Sequence, residues 1–95
     1  MRRIINKKVY DTKTADEIAT NDFSDGTNQY NVGRTSSLYR TPKGAYFAVY
    51  LTSWQGESDS LEPLAEDEAI KVYEGMYDQQ RDFEAAFPNV KIEDA

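Results

Sequence analysis

Two side chains on which much protein chemistry depends are missing from this chain. There is no cysteine, which excludes disulfides, thiolate nucleophiles and Cys-ligated metals. There is no histidine, which removes the commonest general base, the commonest metal ligand and the usual pH switch. No run approaches the roughly 20 apolar residues of a membrane span. The basic start, Met1-Arg2-Arg3-Ile4-Ile5-Asn6-Lys7-Lys8, lacks the apolar stretch of a signal peptide. No Asn-x-Ser/Thr site occurs, and the expected address is the cytoplasm.

The motifs of catalysis are also thin. Gly26, Gly33, Gly44, Gly56 and Gly75 are scattered, so no glycine-rich phosphate loop exists. Ser36, Ser37, Ser58 and Ser60 carry neither a Gly-x-Ser-x-Gly nor a Ser-x-x-Lys pattern. Asn21-Asp22-Phe23-Ser24-Asp25-Gly26 brushes against a calcium loop, but its third position is Phe23 and its twelfth is Val32, not a bidentate acid. A hydrolase built on carboxylates and a metal is the residual enzymatic reading. The expectation is a protein that is not an enzyme and needs no cofactor or metal.

What the chain does have is a modest core and an uneven charge. Its 95 residues suit one domain spanning 1–95, and 39% hydrophobic with 13% aromatic content suffices for it to fold. Residues 1–56 hold eight Lys/Arg and five Asp/Glu, net +3. Residues 57–95 hold three Lys/Arg and twelve Asp/Glu, net −9. Phosphates are repelled by so acidic a half, which disfavours nucleic acid as its direct ligand and favours a basic protein surface. Simple solubility is the competing explanation. Arg2, Arg3, Lys7, Lys8, Arg34, Arg40 and Lys43 make at most a weak nucleic-acid patch, with no recognition motif to support it.

Local patterns predict an α+β fold: a small antiparallel sheet of three to five strands with a C-terminal helix packed across one face. Ile4-Ile5 and Val9-Tyr10 around Asn6-Lys7-Lys8 read as a hairpin. Residues 14–20 carry a capping box, Thr14-Ala15-Asp16-Glu17, but Ile18 and Thr20 also permit a strand; strand is preferred. Ser24 to Ser37 is polar, with a turn at Asp25-Gly26. Leu38-Tyr39-Arg40 and Ala45 to Thr52 flank Thr41-Pro42-Lys43-Gly44, which suits a type I turn. In the second strand Phe47, Val49 and Leu51 are the better core face; Tyr46, Ala48, Tyr50 and Thr52 face the other way. Residues 54–62 read as a polar connection.

From Ala65, the positions Ala69, Val72, Tyr73, Met76 and Tyr77 recur at helical spacing, extended by Gln80, Phe83 and Phe87. Glu66, Asp67 and Glu68 occupy the first turn, where the helix dipole favours negative charge. Gly75 marks a bend or a close packing contact, Pro88 ends this helix or a second short one, and Val90 and Ile92 suit a further edge strand. A continuous helix would set Glu74, Asp78 and Asp82 in a row about 6 Å apart, able to imitate a phosphate backbone. A solvated face with an internal Asp67–Lys71 pair is the plainer alternative. Among the aromatics, Tyr39, Tyr46, Tyr50 and Trp54 surround the strong hairpin; in a small domain such rings are first of all core material, and as an interface set the exposed pair would be Tyr50 and Trp54.

The segments Arg3-Ile4-Ile5-Asn6-Lys7-Lys8-Val9-Tyr10-Asp11-Thr12, Ser37-Leu38-Tyr39-Arg40-Thr41-Pro42-Lys43-Gly44-Ala45-Tyr46-Phe47 and Pro63-Leu64-Ala65-Glu66-Asp67-Glu68-Ala69 together resemble a family of small proteins from phages and mobile elements of Gram-positive bacteria. Its patterns are RIINGxxYDT, LYRxxxGx(Y/F)F and PL(S/T)xEEA. Agreement is weak in 20–35 and 52–62. Lys7 or Lys8 stands where the family has a hairpin glycine. Ala65 replaces a capping Ser/Thr, a loss of about 1 kcal/mol. The motifs are structural, so they speak to family more than to activity. The resemblance implies an inhibitor of host defence of the anti-CRISPR type, acting in the bacterial cytoplasm on a Cas9-type effector nuclease. The expected contact set is Glu66, Asp67, Glu74, Asp78, Asp82, Tyr50 and Trp54. The alternative is a non-enzymatic homo-oligomeric or scaffold module of a mobile element.

Overall fold

The computed structural model describes residues 1–21, 34–52 and 55–93 and shows the expected α+β class. Two strands, β1 (Arg2–Ile5) and β2 (Lys8–Asp11), form a hairpin. Four more, β3 (Asp16–Thr20), β4 (Arg34–Arg40), β5 (Tyr46–Thr52) and β6 (Ser60–Leu64), form an antiparallel sheet in that order. Helix α1 (Glu66–Gly75) and the single turn α2 (Phe83–Ala86) follow.

The turns explain the pairings. Asn6 and Lys7 both take positive φ, 52° and 64°, which is the two-residue turn whose twist matches its flanking strands. The four-residue turn after β4 closes through the Gly44 N–H donating to the Thr41 carbonyl at 2.9 Å. The Thr41 hydroxyl also accepts from the Ala45 N–H at 3.0 Å. Gly44 then sits at φ +89°, a conformation that favours glycine.

Strand alternation divides the core into two. On one face of the sheet, Ile18, Ala19, Leu38 and Tyr46 pack with Ala69, Tyr73 and Met76 of the α1 segment and with Ala86 and Phe87. On the other, Phe47, Val49 and Leu61 pack with Tyr10 of the hairpin. The central strand is therefore buried on both sides: Tyr46, Phe47, Ala48 and Val49 are each 4% exposed or less. Helices and hairpin form two layers on opposite faces of the sheet.

Five expectations need correction. The first helix stops at Gly75, with Met76 already extended, and of the two endings that Pro88 allowed it is the second short helix, α2, that is present. The chain then returns to β3, where Asp78 pairs with Thr20 through N–H···O bonds of 2.8 and 3.0 Å. The Arg81 N–H adds a bond to the Ile18 carbonyl at 3.2 Å. The poor helix propensity of glycine and the unpaired edge of β3 favour this arrangement over a longer helix. Tyr77 is consequently 81% exposed instead of lying in the apolar stripe.

Leu51 is 44% exposed, not core. It lies about 13 Å along the strand from Phe47, beyond the reach of the hairpin that covers that ring. Residues 60–64, read as part of a polar connection, form β6 against β5. Val90 and Ile92 lie in no strand, and β4 begins at Arg34, four residues earlier than its apolar part. The expected turn at Asp25-Gly26 and the calcium-like segment fall mostly outside the described residues.

Candidate protein-docking surfaces

The predicted contact residues fall into three settings. Glu66 and Asp67 form the exposed first turn of α1, just after β6. Ala65 has no side-chain oxygen with which to cap that turn. Half a capping box remains, because the Glu68 carboxylate accepts from the Ala65 N–H at 3.1 Å. Glu66 and Asp67 make no ion pair within the described residues, and the expected Asp67–Lys71 pair is not formed. Both carboxylates stay exposed at the positive end of the helix dipole.

Glu74, Asp78 and Asp82 do not form the expected row. Glu74 lies in the last turn of α1; Asp78 lies in the bridge to β3; Asp82 caps α2, its Oδ1 accepting from the Ala85 N–H at 2.9 Å. All three remain exposed, but on three separately placed stretches of backbone. Nearby, the Arg81 guanidinium grips both oxygens of Asp16 at 2.9 and 3.1 Å. The i, i+4, i+8 arithmetic presupposed a helix that Gly75 ends.

Tyr50 is 36% exposed on the helix-facing side of the sheet, beyond the ground the helices cover. Burial pushes its pKa up, and the charge of Glu62 adds to this. The two share a sheet face: Tyr50 pairs with Ser60 and Ala48 with Glu62. Tyr50 also lines an open cleft of about 530 Å³, together with Thr35, Ser36, Leu51, Thr52 and Glu57. The loop before β6 is tied there by Asp59, which accepts from the Thr52 N–H at 2.9 Å, and Glu57, which meets the Thr52 hydroxyl at 2.6 Å. Trp54 lies outside the described residues.

Glu62 is the contact candidate that sequence reasoning left out of the set. The signal was available: Glu62 stands between Leu61 and Pro63, which would share the opposite face at period two. That pattern marks a strand, and a strand places Glu62 on the face of Tyr50. Across the helix layer, residues 65–93 hold eight Asp/Glu and three Lys/Arg, net −5.

Among the described residues, no three acids come together as a metal site, and no helix is long and apolar enough to cross a membrane. No family model, curated protein or solved structure matches the chain.

Proposed function

We propose that this chain is a stoichiometric protein inhibitor that occupies a basic surface on a bacterial defence nuclease of the Cas9 type, without catalysing a reaction. The observation that supports it is the exposed acidity of the helix layer, in which Glu66, Asp67 and Glu74 form no ion pair among the described residues. The sequence resemblance narrows the basic partner to a defence nuclease. Glu62 and Tyr50 extend the contact surface along the sheet, with Tyr50 supplying an amphipathic ring of the kind that carries interface energy. Mimicry of a duplex is not required. The acids lie on several elements, so they fit scattered Arg and Lys side chains better than a regular phosphate track.

The test is the variant Glu66→Gln/Asp67→Asn/Glu74→Gln, which removes charge without adding bulk. Its affinity for a Cas9-type nuclease at low salt is expected to fall about tenfold or more, with inhibition of cleavage lost in parallel. Undiminished binding by the folded variant sinks the acidic-face mechanism. No binding by the parent to any such nuclease sinks the wider reading. The homo-oligomer alternative is favoured by the opposite charge of the two layers. It predicts a salt-sensitive oligomer by light scattering, against a monomer under the inhibitor reading.

A further inference from the structure

The hairpin layer carries the opposite charge from the helix layer. Residues 1–15 hold five Lys/Arg against Asp11 alone, net +4. Between the hairpin and the turn after β4 runs a groove of about 610 Å³, within the size range of ligand sites. Lys7 and Lys8 stand on one wall and Lys43 on the other, with Val9, Tyr10 and Pro42 supplying apolar surface. Asp11 is the groove's one carboxylate, and its Oδ1 already accepts from the Lys13 N–H at 2.9 Å.

One wall is also an open strand edge. The two-residue turn makes Ile5 and Lys8 the first hydrogen-bonded pair, so Ile4 and Val9 form the next, non-hydrogen-bonded pair. The Val9 N–H and C=O therefore point away from β1, and β2 has no other partner strand among the described residues. The Asp11 carbonyl, two residues on, turns the same way and accepts from the N–H groups of Thr14 and Ala15 at 3.3 and 3.1 Å. Val9 is left as an unoccupied rung between cations, half exposed.

From this geometry we infer that the groove between β2 and the Thr41–Ala45 turn binds an extended, acidic peptide segment of a partner protein, which adds a short strand along Val9. Charge selects the occupant. Lys7, Lys8 and Lys43 attract carboxylates at alternate peptide positions, while a second copy of the same cationic groove is repelled. Backbone pairing gives the extended form, and the apolar floor accepts the intervening side chains. This inference stands on different residues from the proposed inhibitor face and does not rest on it.

The probe is a fluorescein-labelled peptide alternating Glu with Val or Thr, titrated by anisotropy at low ionic strength. Three comparisons accompany it: a Lys-for-Glu counterpart, a version N-methylated at alternate amides, and a short oligothymidine. Saturable binding of the acidic peptide alone is expected. It should weaken about tenfold in Lys8→Glu/Lys43→Glu, checked for folding by circular dichroism, and comparably on N-methylation of the peptide. The inference is overturned by absence of saturation, by indifference to the double lysine reversal, or by indifference to N-methylation. Tighter binding of oligothymidine than of peptide overturns it too, and makes the groove a phosphate site.

Discussion

The two layers flanking the sheet are held by different means. The helix layer is fastened by a web of aromatic rings and directed hydrogen bonds. Phe87 stacks on Tyr46 at 5.0 Å and meets Tyr73 edge-on at 5.4 Å, with Phe83 5.1 Å away. The Tyr46 hydroxyl donates to the Ala86 carbonyl at 2.9 Å, and the Tyr73 hydroxyl to the Arg81 carbonyl at 2.7 Å. The hairpin layer has one buried side chain, Tyr10, set edge-on to Phe47 at 5.6 Å. Its outer pair, Ile4 and Val9, is 62% and 50% exposed. The acidic layer is thus part of the cooperative core, and the basic layer is a lightly docked attachment.

The sharpest way to break this contrast is to remove the centre of each layer. Phe87→Ala deletes a ring that is 1% exposed and shared by three aromatic neighbours. A loss of about 3–5 kcal/mol is expected, a large part of the stability of so small a domain. Urea denaturation should show the whole chain unfolding together. Tyr10→Ala should cost less, about 2–3 kcal/mol, because much of the hairpin it holds is already in water. Hydrogen exchange discriminates: amides of residues 2–11 should lose protection in Tyr10→Ala while those of β4 and β5 keep theirs. Equal loss across the sheet would mean that hairpin and sheet form one cooperative unit.

A third change sharpens the comparison by strengthening the weaker layer. Lys7 sits at φ 64°, which disfavours any side chain with a Cβ. Lys7→Gly should stabilise the hairpin by about 1 kcal/mol, seen as a rise of several degrees in Tm. No change would show that the conformational entropy glycine loses on folding offsets the strain it relieves.

What was legible in the sequence follows the same division between local and distant causes. The first hairpin, the turn at Thr41 to Gly44, the strand after it and the start of α1 are all written in short-range patterns, and all are present. Strand β6 escaped notice because its five residues include only two large apolar side chains and a proline, and because it owes its form to the edge of β5. The end of α1 escaped because the periodicity of Phe83 and Phe87 survives the break: both rings still reach Tyr73, but from a separate turn of helix. Spacing alone does not distinguish a continuous stripe from one interrupted by a return to β3. For the candidate site the consequence is direct. Acids at the helix start were placed correctly, and the acids beyond Gly75 inherited an error of backbone, not of charge.

The smallest effect expected concerns what holds that returning segment. Residues 78–81 are joined to β3 by three backbone bonds, by a side-chain bond from the Gln80 amide to the Glu17 carboxylate, and by the bidentate Asp16–Arg81 pair, whose side chains are 51% and 48% exposed. An ion pair so open to water contributes little, about 0.5 kcal/mol, since solvent screens it and ordering two long side chains offsets part of the gain. Asp16→Asn should therefore lower stability by less than about 1 kcal/mol, with the loss shrinking further at high salt. The backbone ladder covers the edge of β3 in either case, so protection of the Thr20 and Asp78 amides should persist. If that protection vanished in Asp16→Asn, the charge pair and not the ladder would be what turns the chain back after Gly75. Reversing charges on the helix layer would then disturb its fold as well as its partner contacts.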